Sequence, residues 1–250
     1  MIVGKGLLAQ AFEPYFGASA DVLVFASGVS NSLETRDDEF AREHALLCRS
    51  LAGHAQRFVY FGSCGVATAE AELTAYMKHK KRMESLVLAK PGGLVLRLPQ
   101  VVGRTENHHT LTNFLHDRVS SGEHFSVWSH AERNLIDIDD IAAIGAALAV
   151  EMTGESSAIS IAAEKSLPMR EIVRIFEHVL GKRANYSLMD KGATMDIDTT
   201  RNKQVSARLG IHLGDGYVEG VVRKYYAPSA PSRMNHPPSR TATDTTTTRT

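Results

Sequence analysis

Short apolar runs alternate with longer amphipathic stretches through the first half of the chain. The apolar runs are typical of strands buried on both faces of a sheet, and they span residues 1–3, 21–26, 57–62 and 94–98. The stretches between them have helical periodicity, and they run from the first glycines to about Tyr15 and over residues 37–52 and 70–90. Strands that alternate with helices predict right-handed βαβ units and an α/β fold with a doubly wound parallel sheet.

The second half of the chain is less regular. Helices are predicted at residues 111–119, 138–151 and 169–180, and short strands at residues 125–128 and 159–162. The last part is rich in Pro, Ser and Thr and has few apolar residues to bury, so we expect a disordered tail. These changes divide the chain into residues 1–105, residues 106–226 and a tail of residues 227–250.

Composition argues against several classes of function. Lys plus Arg and Asp plus Glu both number 28 in the 250 residues, so no net charge favours nucleic acid as a partner. No apolar run is long enough for a transmembrane helix, and the N-terminus lacks the features of a signal peptide, so no membrane partner is expected. The two cysteines, Cys48 and Cys64, supply no disulfide framework, and we expect a cytoplasmic protein.

Three histidines, His108, His109 and His116, lie close together in the sequence. No helical carboxylate motif supports them, and the chain has 11 histidines in all. The sequence therefore predicts no metal site.

A glycine turn, Gly4-Lys5-Gly6, joins the first predicted strand to the first helix. This is the context in which such a turn binds the pyrophosphate of a dinucleotide, with Leu7 and Leu8 in the first helical turn. The acidic residue expected about 20 positions later has no counterpart, which indicates that the strands after the first helix are shortened or lost. NAD and NADP stay undecided, although Lys5 could meet a 2′-phosphate.

Tyr76 and Lys80 form a Tyr-x-x-x-Lys step within the helix predicted at residues 70–90. Residues four apart lie on one face of a helix. A neighbouring ammonium lowers the pKa of a phenol from its usual value near 10, so Tyr76 could exchange a proton near neutral pH. Alone, the motif fits a surface tyrosine on a basic helix better than a catalytic pair.

Further segments follow in an order typical of one family. The glycine turn precedes FASGVSNS, FVYFGS ending at Ser63, the Tyr76/Lys80 step, LRLPQVVG and GEHFSVWSHAERNLIDIDDIA. In this series the chain resembles the extended short-chain dehydrogenase/reductase family, specifically its NAD-dependent epimerase/dehydratase group acting on nucleotide sugars. The resemblance covers residues 1–226. It implies a Rossmann-like core at residues 1–105, shortened after the first helix, and an interleaved C-terminal substrate-side subdomain.

The resemblance also implies roles for individual residues. Ser63 matches the catalytic Ser/Thr, Tyr76 the acid/base, and Lys80 the lysine that holds the nicotinamide ribose. The implied contacts to NAD or NADP are Gly4, Lys5, Gly6, Leu7, Leu8, Ser27, Gly28, Tyr76, Lys80, Pro99 and Val101. The implied contacts to a nucleotide-sugar substrate are Ser63, Cys64, Gln100 and Arg133. A homodimer through the helix that carries Tyr76 is implied as well.

Structural roles compete for some of these residues. Arg133 could pair with Asp137 or Asp139 instead of a diphosphate. We expect Asp137, Asp139 and Asp140 to cap a helix that starts near Ile141 and not to bind a cation.

Packing roles are the alternative for three further side chains. We expect Cys64 to be a small packing residue and not a nucleophile. Phe125 and Trp128 are expected in the core of the substrate-side region.

Departures from the family pattern narrow the chemistry. Family dehydratases carry an Asp-Glu pair after the catalytic Ser/Thr, whereas this chain has Cys64 and Gly65, so elimination of water is disfavoured. The loss of part of the adenosine site favours an exchangeable cofactor. The predicted function is therefore 4-keto reduction of a nucleotide-linked sugar in polysaccharide or deoxysugar biosynthesis. A 4-epimerase and a non-catalytic dinucleotide-binding sensor or scaffold are the alternatives.

Overall fold

A computed structural model describes residues 1–67, 72–108, 110–151 and 154–228. The strands are β1 (Ile2–Val3), β2 (Val22–Phe25), β3 (Arg57–Ser63), β4 (Gly93–Leu98), β5 (Gln100–Val102), β6 (Phe125–Trp128), β7 (Glu132–Arg133), β8 (Leu135–Asp137), β9 (Ser157–Ser160), β10 (Leu167–Pro168) and β11 (Tyr186–Met189). The helices are α1 (Leu7–Phe16), α2 (Asp37–Leu51), α3 (Ala75–Leu88), α4 (Leu111–Ser121), α5 (Ile138–Glu151), α6 (Met169–Leu180), α7 (Thr200–Arg208) and α8 (Tyr217–Tyr226). A short 3-10 helix, Cys64–Ala67, follows β3. The predicted tail lies outside the described residues beyond residue 228.

The central sheet has five parallel strands in the order β1-β2-β3-β4-β9. This arrangement confirms the predicted parallel α/β fold. It also explains the short connection after α1, because the chain passes from β1 directly to its neighbour β2. Strand β1 is consequently an edge strand, as expected if the strands that usually lie beyond it are missing.

Helices cover both faces of this sheet. On one face, Phe12 of α1 and Ile141 and Ile144 of α5 pack against Val59 and Leu96 of the strands. All five side chains are buried, and the apolar area that they remove from water drives this packing.

Helices α2 and α3 cover the opposite face. Leu47 of α2 and Met83 and Val87 of α3 pack against Leu23 and Phe58. Because neighbouring residues in a strand point to opposite faces, a strand between two helical layers has to be apolar throughout. The continuous apolar runs in the sequence have this origin.

A separate apolar cluster belongs to the second half of the chain. Leu115 of α4, Phe176 of α6 and Val222 of α8 pack with Phe125 of β6. Trp128 does not join them and is 45% exposed, so its predicted core position is wrong. Strand β6 alternates buried and exposed residues, and Phe125 and Trp128, three positions apart, fall on opposite faces.

Two predicted boundaries are wrong. Helix α3 begins at Ala75 and not at residue 70, because Thr74 caps it by accepting a hydrogen bond from Met77 N over 3.2 Å. Strand β9 spans Ser157–Ser160 and not residues 159–162, because its pairing register with β4 begins at Ser157. Strands β5, β7, β8, β10 and β11 and helices α7 and α8 had no clear sequence pattern and were not predicted, whereas the two-residue β1 was.

Within the described residues, no helix is both long enough and apolar enough to cross a bilayer.

Gly4 gives a stability prediction. Its φ is +136°, and a Cβ at this position would lie 2.4 Å from Ala26 O. We expect Gly4→Ala to lower the free energy of unfolding by roughly 2–3 kcal/mol, because both the backbone conformation and the contact with Ala26 O would be strained. Urea denaturation measures this change.

Gly6→Ala is the matched control. Gly6 has a φ of −77°, and a Cβ there would meet nothing within 4 Å. This variant should lose less than about 1 kcal/mol. Equal losses in the two variants would contradict the assignment of strain to Gly4.

Candidate functional site

The predicted site residues follow the strands at one edge of the sheet. In the parallel register, Val3 pairs with Phe25, Phe25 with Tyr60, and Ser63 with Leu98. The carboxyl ends of β1 to β4 therefore lie together. At such an edge, open α/β sheets bind their ligands.

The glycine turn lies at the end of β1. Lys5 and Gly6 are exposed, and α1 starts at Leu7. Leu8 packs against the core and Leu7 adjoins Gly103, so their side chains have structural contacts. Their backbone N–H groups belong to the first helical turn, where such groups lack partners within the helix.

This turn fits a pyrophosphate. A Cβ on Gly6 would meet no protein atom within 4 Å, so the backbone is open on that side. The N-terminal end of a ten-residue helix favours an anion there through its N–H groups and dipole.

The loop after β2 lies directly over Lys80. A Cβ on Gly28 would be 2.7 Å from Lys80 Nζ and 2.8 Å from Glu43 Oε1, so only glycine fits without displacement. Ser27 is half-buried, and its carbonyl accepts a hydrogen bond of 3.4 Å from Arg42 Nη1.

Tyr76 and Lys80 occupy successive turns at the start of α3, as predicted. Lys80 Nζ lies 5.9 Å from the centroid of the Tyr76 ring. Tyr76 is partly exposed, whereas Lys80 is 4% exposed. The pair is therefore not a surface tyrosine on a basic helix, because its lysine is in the interior.

All three N–H donors of Lys80 have protein acceptors. Nζ donates to Glu43 Oε1 over 3.2 Å, to Tyr60 Oη over 3.1 Å and to Phe61 O over 3.5 Å. Glu43 was not among the residues predicted from the sequence. It lies on α2, four residues before the buried Leu47, and a carboxylate on the core-facing side of an amphipathic helix is the signal that could have identified it.

The pKa of Tyr76 is shifted in the direction opposite to the one predicted from the sequence. Burial raises the pKa of Tyr76 above its ordinary value, and the negative charge of Glu43 raises it further. The Lys80 ammonium, 5.9 Å from the centre of the Tyr76 ring and paired with Glu43, does not outweigh these two effects on the pKa of Tyr76. The expectation of a phenol with a depressed pKa is therefore wrong for the groups of the chain itself.

Ser63 ends β3, and its Oγ accepts a hydrogen bond of 3.2 Å from Gly65 N. A Cβ on Gly65 would lie 2.7 Å from Met77 Cε, so the turn after Ser63 adjoins the helical turn that carries Tyr76. Burial raises the pKa of the Cys64 thiol to about 12. This residue is 7% exposed and packs as a neutral thiol, as the packing interpretation expected.

The segment after β4 lies on the other side of the site. Pro99 and Gln100 are half-buried, and Gln100 N donates to Asn134 O over 3.0 Å. Val101 packs against the core below.

Arg133 lies in β7 and is half-buried. Its Nη1 donates to Glu132 O over 2.7 Å, and burial lowers its pKa. Within the described residues it has no ion pair with Asp137 or Asp139, because Lys224 holds both carboxylates at 2.6 and 2.7 Å. The structural alternative for Arg133 is therefore wrong.

Asp137 caps α5, as expected, whereas Asp139 and Asp140 lie inside the first turn of this helix and do not cap it. Asp137 Oδ1 accepts from Asp139 N over 3.0 Å, although the helix begins at Ile138 and not near residue 141. Asp140 binds Tyr217 Oη over 2.6 Å.

The histidines show no metal-binding geometry in the described part of the chain. His108 and His116 both contact Asp117, and His109 lies outside the described residues. No group of three or more His, Cys, Asp or Glu side chains in the described ranges could hold a metal ion.

Comparison with known proteins gives matches in structure only. No protein-family model matches the chain, and no curated protein matches it in sequence. Among solved structures, RMD from Pseudomonas aeruginosa complexed with NADPH is similar with a TM-score of 0.63 and 15% identity, covering 88% of this chain and 85% of that one.

Two further structures are similar to the same degree. Thermus thermophilus UDP-glucose 4-epimerase in complex with NAD has a TM-score of 0.62 and 15% identity, covering 87% and 81% of the two chains. MoeE5 in complex with UDP-glucuronic acid and NAD has a TM-score of 0.61 and 17% identity, covering 81% and 77%. At these identities the likeness concerns the fold, and the chain therefore has the Rossmann-like fold that its resemblance to the extended short-chain dehydrogenase/reductase family implied.

Proposed function

We propose that this chain is an NAD(P)-dependent oxidoreductase that reduces the 4-keto group of a nucleotide-linked sugar in polysaccharide or deoxysugar biosynthesis. One observation carries the proposal. Tyr76 lies one helical turn before the buried Lys80 at the carboxyl edge of the sheet, Gly28 adjoins Lys80 Nζ, and the turn after Ser63 adjoins Met77, the neighbour of Tyr76. This combination of a proton donor, a fixed cation and a hydroxyl suits carbonyl chemistry beside a dinucleotide.

The residues at the sheet edge fit a nicotinamide dinucleotide. The turn from Gly4 to Leu8 would hold the pyrophosphate, and Ser27, Gly28, Pro99 and Val101 would flank the nicotinamide half. Three of the similar structures contain NAD or NADPH. A bound reduced nicotinamide would supply the hydride that a carbonyl carbon accepts.

The chain's own groups would then handle the carbonyl oxygen. Ser63 would donate a hydrogen bond to this oxygen, and Tyr76 would give it a proton. The Tyr76 phenol, whose pKa burial and Glu43 raise, is protonated at neutral pH and can donate its proton, although the raised pKa makes it a weaker acid. An epimerase needs the same tyrosine as a base in its first, oxidative half, so this property favours reduction.

The substrate side supports the same proposal. Arg133 has no carboxylate partner among the described residues, so its guanidinium can bind a diphosphate. Gln100 lies beside this strand, and Cys64 and Gly65 offer no carboxylate for elimination of water. The protein is proposed to act in the cytoplasm, as a homodimer through α3.

Tyr76→Phe should lower kcat/KM for reduction of a nucleotide-linked 4-ketosugar by roughly a hundredfold to ten-thousandfold, because the proton donor is lost. NADPH affinity should change by no more than a few-fold. Steady-state NADPH oxidation and calorimetry measure the two quantities.

Tyr15→Phe, at a half-exposed tyrosine on α1, is the matched control and should keep wild-type kinetics. Wild-type turnover by Tyr76→Phe would refute the proposed role of Tyr76. A wild-type protein that binds dinucleotide but reduces no ketosugar would favour the sensor instead.

Gly6→Asp should weaken the binding of NADH and NADPH by about tenfold or more, because it places a negative charge at the N-terminus of α1. Gly6→Asn has the same size without the charge and should weaken binding less. Calorimetry with both cofactors tests this. The assignment of a pyrophosphate site would be contradicted if the two substitutions weakened binding equally. It would also be contradicted if neither cofactor bound to the wild type.

A further inference from the structure

Glu43 is the most deeply buried charged residue at the site, with no exposed surface. Its Oε1 accepts from Tyr60 Oη over 2.8 Å and from Lys80 Nζ over 3.2 Å. Its Oε2 accepts from Val29 N over 2.7 Å and lies 3.0 Å from His79 Nε2. Each carboxylate oxygen thus has two partners, and they come from β3, α3 and the loop after β2.

These contacts satisfy a charge that would otherwise be unfavourable in the interior. Burial alone would raise the pKa of the Glu43 carboxyl, but His79, Lys80 and the Val29 amide hold it down at about 2. The carboxylate therefore stays ionised across the neutral and alkaline range.

Lys80 depends on Glu43 in turn. Burial lowers the pKa of the ammonium, and Glu43 acts against this shift. Because Gly28 leaves no room above Nζ, the ammonium is fixed in place as well as in charge.

We propose that Glu43 is the positioning residue of the proton-transfer centre: it fixes the Lys80 ammonium beneath Gly28 and is its counter-charge. The negative charge of Glu43 also opposes the loss of a proton from Lys80 and from Tyr76. The proposal rests on the proposed reductase function, since carbonyl reduction needs the phenol as an acid and the lysine as a cation. Glu43 does not touch the reacting atoms, because it is enclosed by protein on all sides.

Within the described residues, the charged and titratable groups that contact Lys80 or its partner carboxylate are Glu43 from α2, Tyr60 from β3, and His79 on the same helix as Lys80. Other charged groups on the packed elements have other partners. Arg97 pairs with Glu84, and Arg42 pairs with Glu39 and Ser27 O, while Cys64 is a neutral thiol. Glu43 is thus the counter-charge of Lys80.

Glu43→Gln should move the alkaline limb of kcat/KM for ketosugar reduction to lower pH by about one unit or more. Without the carboxylate, either the buried ammonium loses its proton more easily, or it stays charged and makes the phenol more acidic. In the first case Lys80, and in the second case Tyr76, loses its proton at a lower pH than in the wild type, and reduction needs both protons. The measurement is the pH profile of the variant and the wild type at saturating NADPH.

Glu84→Gln is the matched control. Glu84 is 4% exposed, lies on α3 and pairs with Arg97, but does not touch Lys80. This variant should lose stability without moving the alkaline limb. An unmoved limb in Glu43→Gln, whatever its kcat, would leave Glu43 with a merely structural role and overturn the proposal.

A second measurement needs no turnover. The stability from Glu43 is present above its ordinary pKa of 4.5 and is lost as pH falls towards about 2. In Glu43→Gln, the folded state releases the Lys80 proton before the unfolded state does, so the stability of the variant rises with alkaline pH. The difference in unfolding free energy between wild type and variant should therefore be largest near neutral pH. It should become smaller at acidic pH and also at alkaline pH.

A difference that does not vary with pH would overturn the buried ion pair even if reduction is observed. Conversely, consider a wild type that reduces no ketosugar while the difference in unfolding free energy still becomes smaller at acidic and alkaline pH. That result would support the buried Glu43–Lys80 pair and refute the proposed reductase function. If Glu43→Gln does not fold, the double variant Glu43→Gln/Lys80→Met should fold, because no buried charge is left unpaired. Failure of the double variant would also overturn the proposal.

Discussion

The charge of Lys80 depends on one buried carboxylate. An ammonium that is 4% exposed is costly unless a counter-charge and hydrogen-bond acceptors accompany it. Glu43 supplies both, and the same carboxylate holds the amide of Val29 in the loop after β2. The path of this loop, the position of Lys80 and the protonation of Tyr76 are therefore coupled. In such a buried network, no one partner can move without leaving the hydrogen-bonding group of another partner unpaired.

The shortened sheet limits how a dinucleotide can be held. In the described part of the chain, β1 pairs with β2 on one side only. The glycine turn, the loop over Lys80 and the segment after β4 still border one continuous edge. A dinucleotide there would be bound mainly through its pyrophosphate and nicotinamide halves. In the proposed reductase, fewer adenosine contacts would make release easier, which would suit an enzyme that takes a fresh reduced cofactor in each turnover.

The sequence was most informative where function depends on residues close together in the chain. Gly4 was predicted from a glycine turn between a strand and a helix, and Tyr76 and Lys80 from their spacing within a helix. The role of Ser63 was implied by the family resemblance. Glu43 was not predicted, because its contact with Lys80 spans 37 residues and depends on how α2 and α3 pack. A buried ion pair leaves no periodic signal, unlike an apolar face.

Contacts between distant residues also determine the structure of the second half of the chain, and there too the sequence pattern was a weak guide. Strand β11 and helices α7 and α8 are short, and α8 is fixed partly by polar contacts of Lys224 and Tyr225 with Asp137. Trp128 was misplaced because its aromatic character suggested burial, whereas strand alternation puts it on the exposed face.

The protonation of Tyr76 links this buried pair to the direction of the reaction. A phenol whose pKa is raised gives up its proton only to a group that becomes strongly basic, such as the alkoxide formed when hydride reaches a carbonyl carbon. It removes a proton from a sugar hydroxyl poorly, because the phenolate is scarce at neutral pH. An oxidised nicotinamide nearby would add positive charge and partly offset this imbalance. In the proposed reductase, the bound cofactor would be reduced and its ring uncharged, so this offset would be absent and Tyr76 would act as a proton donor to a carbonyl.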